Sequence, residues 1–197
     1  MSINQYDTGA KSPGGNGLEA ATGGDLLSLA ADPRLANSPC WIFGSSRPLA
    51  EGDAETLGGL TAFMERWQAH GAPVAGLYGL VHDRFLVVVQ APGGASASGC
   101  SIDSLKTEIR SLEVALGTRL QDGGRIFYRG PGGAVESVTR AEFKALAVEG
   151  RIGPDTEVFD TTLTRFGDLR PGVFSKPLKD SWHLRLYEQA RRAAPAA

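Results

Sequence analysis

The sequence predicts an α+β fold: a ferredoxin-like antiparallel sheet with two helices on one face, followed by a small α+β appendage. Between Cys40 and Tyr128, strand and helix patterns follow in the order strand, helix, strand, strand, helix, strand. A tight turn joins the second strand to the third, which favours an antiparallel pair. From about residue 125 the predicted elements become shorter, which indicates a separate small unit.

The N-terminal part of the chain has the composition of a tail. Residues 1–38 are rich in glycine, alanine and polar residues, which predicts disorder interrupted by one short helix near Gly24 to Ala31. Folded structure is expected to start near Cys40, with a first strand over 40–44. Pro48 makes a continuation of that strand unfavourable, so residues 45–49 are predicted to form a loop.

The first helix is predicted from about Glu51 to Ala69. Its apolar stripe contains Leu57, Leu60, Phe63, Met64 and Trp67. His70 is placed in the last turn, and Gly71 is the C-terminal stop. Residues 74–81 and 85–90 are the next two strands, joined by His82-Asp83-Arg84. The second of them is apolar on both faces, which predicts a central position in the sheet.

A second helix is predicted from Cys100 to about Leu116, with Leu105, Ile109 and Leu112 on one stripe. Residues 125–128 form the fourth strand, and in an alternative arrangement the appendage shares this strand. The appendage contains a helix over 138–149 that Gly150 ends, a turn over 151–156, a strand over 157–159 and a final helix. His183 is expected to pack against the sheet or to cap that final helix.

Composition limits the classes of function. The 197 residues are 42% hydrophobic, and a net charge of −2 without a long block of like charge argues against a nucleic-acid partner. No apolar run approaches the roughly 20 residues of a membrane span, and residues 1–17 lack the features of a secretory signal. Cys40 and Cys100 alone make no disulfide framework, so we expect a soluble cytoplasmic protein.

Cys100 is the first candidate catalytic residue. It lies in Ser98-Gly99-Cys100-Ser101-Ile102-Asp103, where a Gly/Ser-rich loop meets a helix pattern. Backbone N–H groups at a helix start favour negative charge and can support a thiolate. His70 would act as its base, and Asp83 or Asp103 would orient that base. The alternative is a small buried cysteine that tightens the loop.

Arg47 is the candidate for binding an anionic group, because it lies in a loop between Ser46 and Pro48. Ser46, Ser101 and Asp103 are further candidate ligand-binding residues. The alternative for Arg47 is a salt bridge that closes its own loop.

His82 is interpreted as a solvated turn residue. The three histidines have no metal-ligand spacing, so neither a metal nor a cofactor is expected.

Motifs spread over residues 41–187 carry a family resemblance. They include Trp41-Ile42, Trp67-Gln68-Ala69-His70-Gly71, the SGCSID sequence at 98–103 and Ser181-Trp182. Together they resemble a family of short uncharacterised bacterial proteins of the Bacteroidetes type, whose members are often labelled ABC transporter ATPases. A P-loop needs a lysine after a glycine, and none of the five lysines here follows one. We therefore reject that ATPase activity.

The last third of the chain resembles the bacterial variety of the GYF domain. The resemblance rests on Tyr128, the helix pattern over 139–149, Gly150-Arg151-Ile152 and the Pro154-Asp155-Thr156 turn before Val158-Phe159. It implies a peptide-binding module, with Tyr128, Phe159 and Trp182 as interaction residues. The chain departs from the pattern after the strand, where Thr161 stands in place of the common tryptophan.

The leading prediction is a cytoplasmic binding or adaptor protein rather than an enzyme, because no complete catalytic set is visible. The loops of Arg47 and Cys100 form its ligand patch, and its partner is a protein or a small anionic ligand. The alternative is a cysteine-dependent enzyme or redox sensor that uses Cys100 with His70. Self-association into a homodimer is a third prediction. The predicted domains are a tail over 1–38, a ferredoxin-like domain over 39–130, a GYF-like appendage over 131–190 and a flexible tail over 191–197.

Overall fold

The computed structural model describes residues 23–193, and the remaining parts of both predicted tails lie outside this range. The helices are α1 (Gly23–Leu29), α2 (Ala54–Arg66), α3 (Gly99–Leu116), α4 (Arg140–Val148) and α5 (Leu184–Ala193). The strands are β1 (Cys40–Gly44), β2 (Gln68–Ala69), β3 (Ala72–Pro73), β4 (Gly76–Val81), β5 (Phe85–Gln90), β6 (Arg125–Arg129), β7 (Val135–Thr139), β8 (Glu157–Phe159) and β9 (Ser175–Pro177). The predicted α+β class is confirmed.

The first sheet has three antiparallel strands in the order β1-β5-β4. β5 is central, as its apolar side chains on both faces predict. Leu86 and Val88 point towards α2 and α3, while Phe85, Val87 and Val89 point to the opposite side. Both faces of this sheet are therefore covered by protein.

α2 and α3 cover one face of the first sheet. They contribute Leu57, Leu60, Phe63, Leu105, Ile109, Leu112 and Leu116 to a buried cluster. The predicted end of the first helix is wrong: α2 stops at Arg66, and residues 68–73 form the β2–β3 hairpin. The chain leaves the helix at Trp67, which is extended and whose indole N–H donates to the Ser101 carbonyl at 2.9 Å. That buried hydrogen bond favours the early end of the helix.

The second sheet has four antiparallel strands in the order β7-β6-β8-β9. β6, the predicted fourth strand of the first sheet, pairs here with β7 and β8. The prediction of one four-stranded sheet is therefore corrected to a three-stranded and a four-stranded sheet. β7 was not predicted; it follows β6 after only a short glycine-rich loop, so pairing with it closes a much smaller loop than pairing with β1 would.

The second sheet packs against the face of the first sheet that α2 and α3 leave open. Phe85 meets Phe127, Phe159 and Phe174 there, with ring centroids 5.0 to 5.3 Å apart. α1 joins the same core through Leu26, which is completely buried. The folded chain therefore includes α1, which corrects the prediction that it starts near Cys40.

The outer face of the second sheet is covered by α4 and α5. The shared core contains Ile126, Tyr128, Phe143, Ala147, Ile152, Val158, Leu178 and Ala190. α4 begins with a reciprocal capping box between Thr139 and Glu142, and the chain turns at Gly150 with a φ of +70°. Within residues 23–193, no helix is long and apolar enough to cross a membrane.

Candidate functional site

The two parts of the predicted ligand patch lie at opposite ends of the first sheet. Arg47 follows the Gly44–Phe85 end of the sheet, and Cys100 follows the Gly76–Gln90 end. α3 runs from one end to the other, and its last carbonyl, that of Leu116, accepts from Arg47 Nη2. At a rise of about 1.5 Å per residue, Cys100 and Leu116 are roughly 24 Å apart along this helix. One small ligand does not contact both Arg47 and Cys100.

Cys100 is exposed in the first turn of α3. The neighbouring polar side chains form the helix cap: Ser98 and Ser101 make a reciprocal capping box, and Ser101 is buried. The Ser101 carbonyl also accepts from the indole of Trp67. Ser101, a predicted ligand-binding residue, thus has its hydrogen-bonding groups committed to the fold. The prediction of a buried structural cysteine at position 100 is wrong.

A groove of about 500 Å³ lies beside Cys100, between α2 and α3. Its lining consists of Phe63, Arg66, Cys100, Asp103, Ser104, Thr107 and Glu108, and contains no histidine. His70 occupies the turn of the β2–β3 hairpin, and Asp83 lies at the far end of the sheet. Asp103 is exposed and ion-pairs with Lys106 at 3.7 Å. Among the described residues, one predicted orienting carboxylate, that of Asp103, lines the groove beside the thiol, but the predicted base His70 does not.

Arg47 forms the salt bridge that the sequence offered as its alternative role. Both terminal nitrogens donate to the Asp53 carboxylate at 2.8 Å, and they also donate to the carbonyls of Pro48 and Leu116. The hydrogen bonds from Arg47 hold the pKa of Asp53 at about 2. Ser46 is bound to Thr118 and to the Arg119 N–H. Both residues therefore close the loop, and Arg47 is not available as the predicted anion site.

The predicted interaction residues divide into buried and exposed ones. Tyr128 and Phe159 are buried in the cores on opposite faces of the second sheet, so their rings are not accessible to a binding peptide. Trp182 is 43% exposed, and its ring stacks on that of His183 with centroids 3.7 Å apart. Of the three, only Trp182 presents an aromatic surface to solvent.

His183 is buried at the start of α5, which agrees with the prediction that it packs or caps there. Its Nδ1 is 2.6 Å from the Ser181 hydroxyl, and its ring faces Phe143. Burial lowers the pKa of His183 to about 4, although Asp160 acts in the opposite direction. With 1% exposure, His183 stabilises the helix start and has no access to a substrate.

A second cavity lies at the junction of the two sheets, and sequence reasoning missed it. It encloses about 220 Å³ at the end of the first sheet that carries Arg47. We call it the junction pocket; its lining consists of Pro48, His82, Asp83, Arg84, Arg129, Gly133, Ala134 and Val135. The β4–β5 turn supplies one wall, and the β6–β7 hairpin supplies the other.

Arg84 is the buried charge of the junction pocket, with 3% exposure. Its Nε and Nη2 donate to the Val135 carbonyl at 2.9 and 2.5 Å, and Nη1 donates to the Ser45 carbonyl at 3.4 Å. No carboxylate among residues 23–193 lies within ion-pairing distance of its guanidinium. Burial lowers the pKa of Arg84, and the charge of Glu136 opposes this from further away. Arg84 therefore links the two sheets through hydrogen bonds and has no ion-pair partner among the described residues.

Arg129 and His82 add two further cationic or titratable groups. Arg129 ion-pairs with Glu157 through Nε and donates from Nη1 to the Gly133 carbonyl at 2.8 Å. Its Nη2 has no hydrogen-bond partner among the described residues. His82 has its ring 5.4 Å from Phe159 and 6.5 Å from Phe174, and desolvation lowers its pKa. The pocket thus combines three nitrogen-bearing side chains with a single carboxylate, that of Asp83.

The sequence contains only a weak signal for this pocket. Arg84 directly precedes the apolar run of β5, so a charge at that position is either at the edge of the core or inside it. In the structure Arg84 lies inside the core, because its guanidinium is hydrogen-bonded to the Val135 carbonyl on β7 of the second sheet. The local pattern of either segment does not reveal that contact.

Within residues 23–193, no group of three or more His, Cys, Asp or Glu side chains is arranged to hold a metal ion. Comparisons of the chain with family models, with curated proteins and with solved structures found no match.

Proposed function

We propose that this protein is a non-catalytic binding protein that holds a small anionic ligand in the junction pocket. The observation that carries the proposal is Arg84, a buried guanidinium that lines a cavity and has no ion-paired carboxylate within residues 23–193. Arginine is almost never fully buried without a paired charge, because the loss of hydration is costly. An anion that enters the pocket would supply the missing charge.

The hydrogen-bonding capacity of the pocket supports an oxyanion as ligand. A guanidinium has five N–H groups, and Arg84 uses three of them on carbonyl oxygens. Arg129 adds the unused Nη2, and His82 adds its ring nitrogens. Arginine forks match the oxygen spacing of carboxylate, phosphate and sulfate, and such charge-assisted bonds are strong.

The size and position of the pocket limit what it can hold and what binding would do. Its 220 Å³ correspond to about seven water molecules at roughly 30 Å³ each, so it suits a small anion or one anionic group of a larger molecule. Both sheets contribute to the lining. A bound anion would therefore link them and stabilise the folded protein by mass action.

The wider predictions from the sequence remain proposals. In the first sheet β5 lies between β1 and β4. The third predicted strand thus lies between the first and the second, and this order supports a ferredoxin-like origin of the sheet. The capping box of α4 and the turn at Gly150 support a GYF-like second unit, and the SGCSID motif supports the bacterial family. Free thiols at Cys40 and Cys100 support a reducing compartment such as the cytoplasm.

The test is isothermal titration calorimetry with sulfate at low ionic strength, on the wild-type protein and on Arg129→Gln. We expect saturable binding to the wild type and a loss of roughly tenfold or more in affinity for Arg129→Gln, since one charged donor is removed. Arg125→Gln is the matched control. Arg125 lies on the same strand and loses the same charge, but it binds Ser137 and does not line the pocket. Equal losses in the two variants, or no binding to the wild type, would overturn the proposal.

A further inference from the structure

We infer that the junction pocket takes up a proton through His82 when it binds its anion, so that binding is tighter in mildly acidic than in alkaline solution. This inference deepens the proposed function and rests on it. It concerns a histidine that lines the pocket together with two arginines, Arg84 from its own turn and Arg129 from β6. Proton uptake would make the pocket a pH-dependent anion site.

The position of His82 supports the inference. The residue lies in the β4–β5 turn with a φ of +53°, and its ring packs on Phe159 and Phe174 while the residue stays exposed. The aromatic contacts fix where the ring lies, and the pocket lies beside it. Water can reach the ring, so the imidazole exchanges its proton with solvent.

The charges that face His82 come from its own β4–β5 turn and from the strands β6 and β8. Arg129 on β6 disfavours the imidazolium, and Arg84, before β5, brings a second positive charge to the same pocket. Glu157 on β8 and Asp83 in the turn favour the imidazolium. Desolvation is the largest effect, and the net result is a pKa of His82 below its ordinary value. In the empty pocket near neutral pH, His82 is therefore mainly uncharged.

An anion in the pocket reverses this balance. Its negative charge favours the imidazolium, and a protonated ring nitrogen can donate a hydrogen bond to one of its oxygens. The pKa of His82 is then higher in the complex than in the free protein. By linkage, anion affinity rises as the pH falls through the higher pKa, and it levels off below the lower one.

The experiment is calorimetric titration with sulfate, which keeps its double charge throughout the range from about pH 5.5 to about pH 8. We expect the wild-type protein to bind sulfate about fivefold to tenfold more tightly at about pH 5.5 than at about pH 8, because the bound anion raises the pKa of His82. Repeating the titration near pH 7 in buffers of different ionisation enthalpy measures the proton uptake directly. The wild-type protein is sufficient for both measurements.

His82→Asn removes the titrating group and keeps the turn, because asparagine tolerates a positive φ. We expect this variant to bind sulfate with little dependence on pH and without proton uptake. His70→Asn is the matched control, since His70 also has a φ of +53° in a hairpin turn but does not line the pocket. It should behave like the wild type.

The outcomes separate the two proposals. If the wild type does not bind sulfate at either pH, the proposed function itself fails. If it binds sulfate with the same affinity at both pH values and without proton uptake, the function stands and the inference about His82 is wrong. The inference is also wrong if His82→Asn keeps the full pH dependence.

Discussion

Two arginines of this protein differ in their hydrogen-bond partners, and the sequence does not show this difference. The sequence treats Arg47 and Arg84 as residues next to strands, but their surroundings differ. Arg47 forms a two-point ion pair with Asp53, whereas the partners of Arg84 among residues 23–193 are carbonyl oxygens. Their difference comes from residues far away in the chain, so sequence patterns selected Arg47 as the anion site and passed over Arg84.

The buried His183 predicts a loss of stability in mild acid. Its pKa is about 4 in the folded protein and close to 6.5 when unfolded, so the unfolded chain binds more protons between these values. The contribution to stability is fully present above about pH 6.5 and is lost as the pH falls through about 4. Between about pH 7 and about pH 5, we expect His183 to lower the free energy of unfolding by about 2 kcal/mol.

Urea unfolding at these two pH values measures this loss. In His183→Asn, the free energy of unfolding should be lower at both pH values, but most of the difference in this free energy between them should disappear. In His70→Asn, where an exposed histidine is removed, the difference should persist. A His183→Asn protein that keeps the full difference would show that other groups cause it.

The two cysteines should differ strongly in reactivity. Burial raises the pKa of the Cys40 thiol to about 12, with a smaller contribution from Asp168, whereas Cys100 is exposed. Because the thiolate is the reactive form, we expect native alkylation at Cys100 and alkylation of Cys40 only after unfolding. Peptide mass spectrometry after timed iodoacetamide treatment measures both rates. Equal rates for the folded protein would contradict the burial of Cys40.

At the scale of elements, the sequence predicted those helices and strands that short-range interactions determine. α3 lies where its apolar stripe predicts it, α4 ends just before the predicted stop at Gly150, and the apolar run of β5 indicates its central place. The β2–β3 hairpin was missed, because the apolar stripe of α2 continues to Trp67 while the chain leaves the helix there. β7 was missed because only its pairing with β6 gives its mixed sequence a strand conformation.

The N-cap of α3 offers a test at this scale. Ser98 accepts from the Ser101 N–H and takes part in the capping box, so Ser98→Ala should lower the free energy of unfolding by about 1 kcal/mol. Ser104→Ala in the same helix is the control. Ser104 is exposed and bonds only the Cys100 carbonyl, so its loss should change stability by less than about 0.5 kcal/mol. Chemical denaturation compares the two, and a larger loss for Ser104→Ala would contradict the assigned cap.

At the scale of the whole molecule, the packing of the second sheet on the first is the feature that the sequence did not reveal. Its apolar face covers the first sheet through contacts among Phe85, Phe127, Phe159 and Phe174. These phenylalanines are spread along the chain, and their meeting depends on which strands pair. The junction pocket arises from the same packing, so the site could not be predicted before the arrangement of the sheets was known.

The binding of an anion between the sheets is the central claim, and nuclear magnetic resonance of the arginine Nε–H groups tests it most directly. During a sulfate titration, we predict that the signals of Arg84 and Arg129 shift together and reach saturation. Those of Arg47 and Arg125, which do not line the pocket, should remain in place. Signals that do not move, or that move equally at all four arginines, would contradict an anion site in the junction pocket.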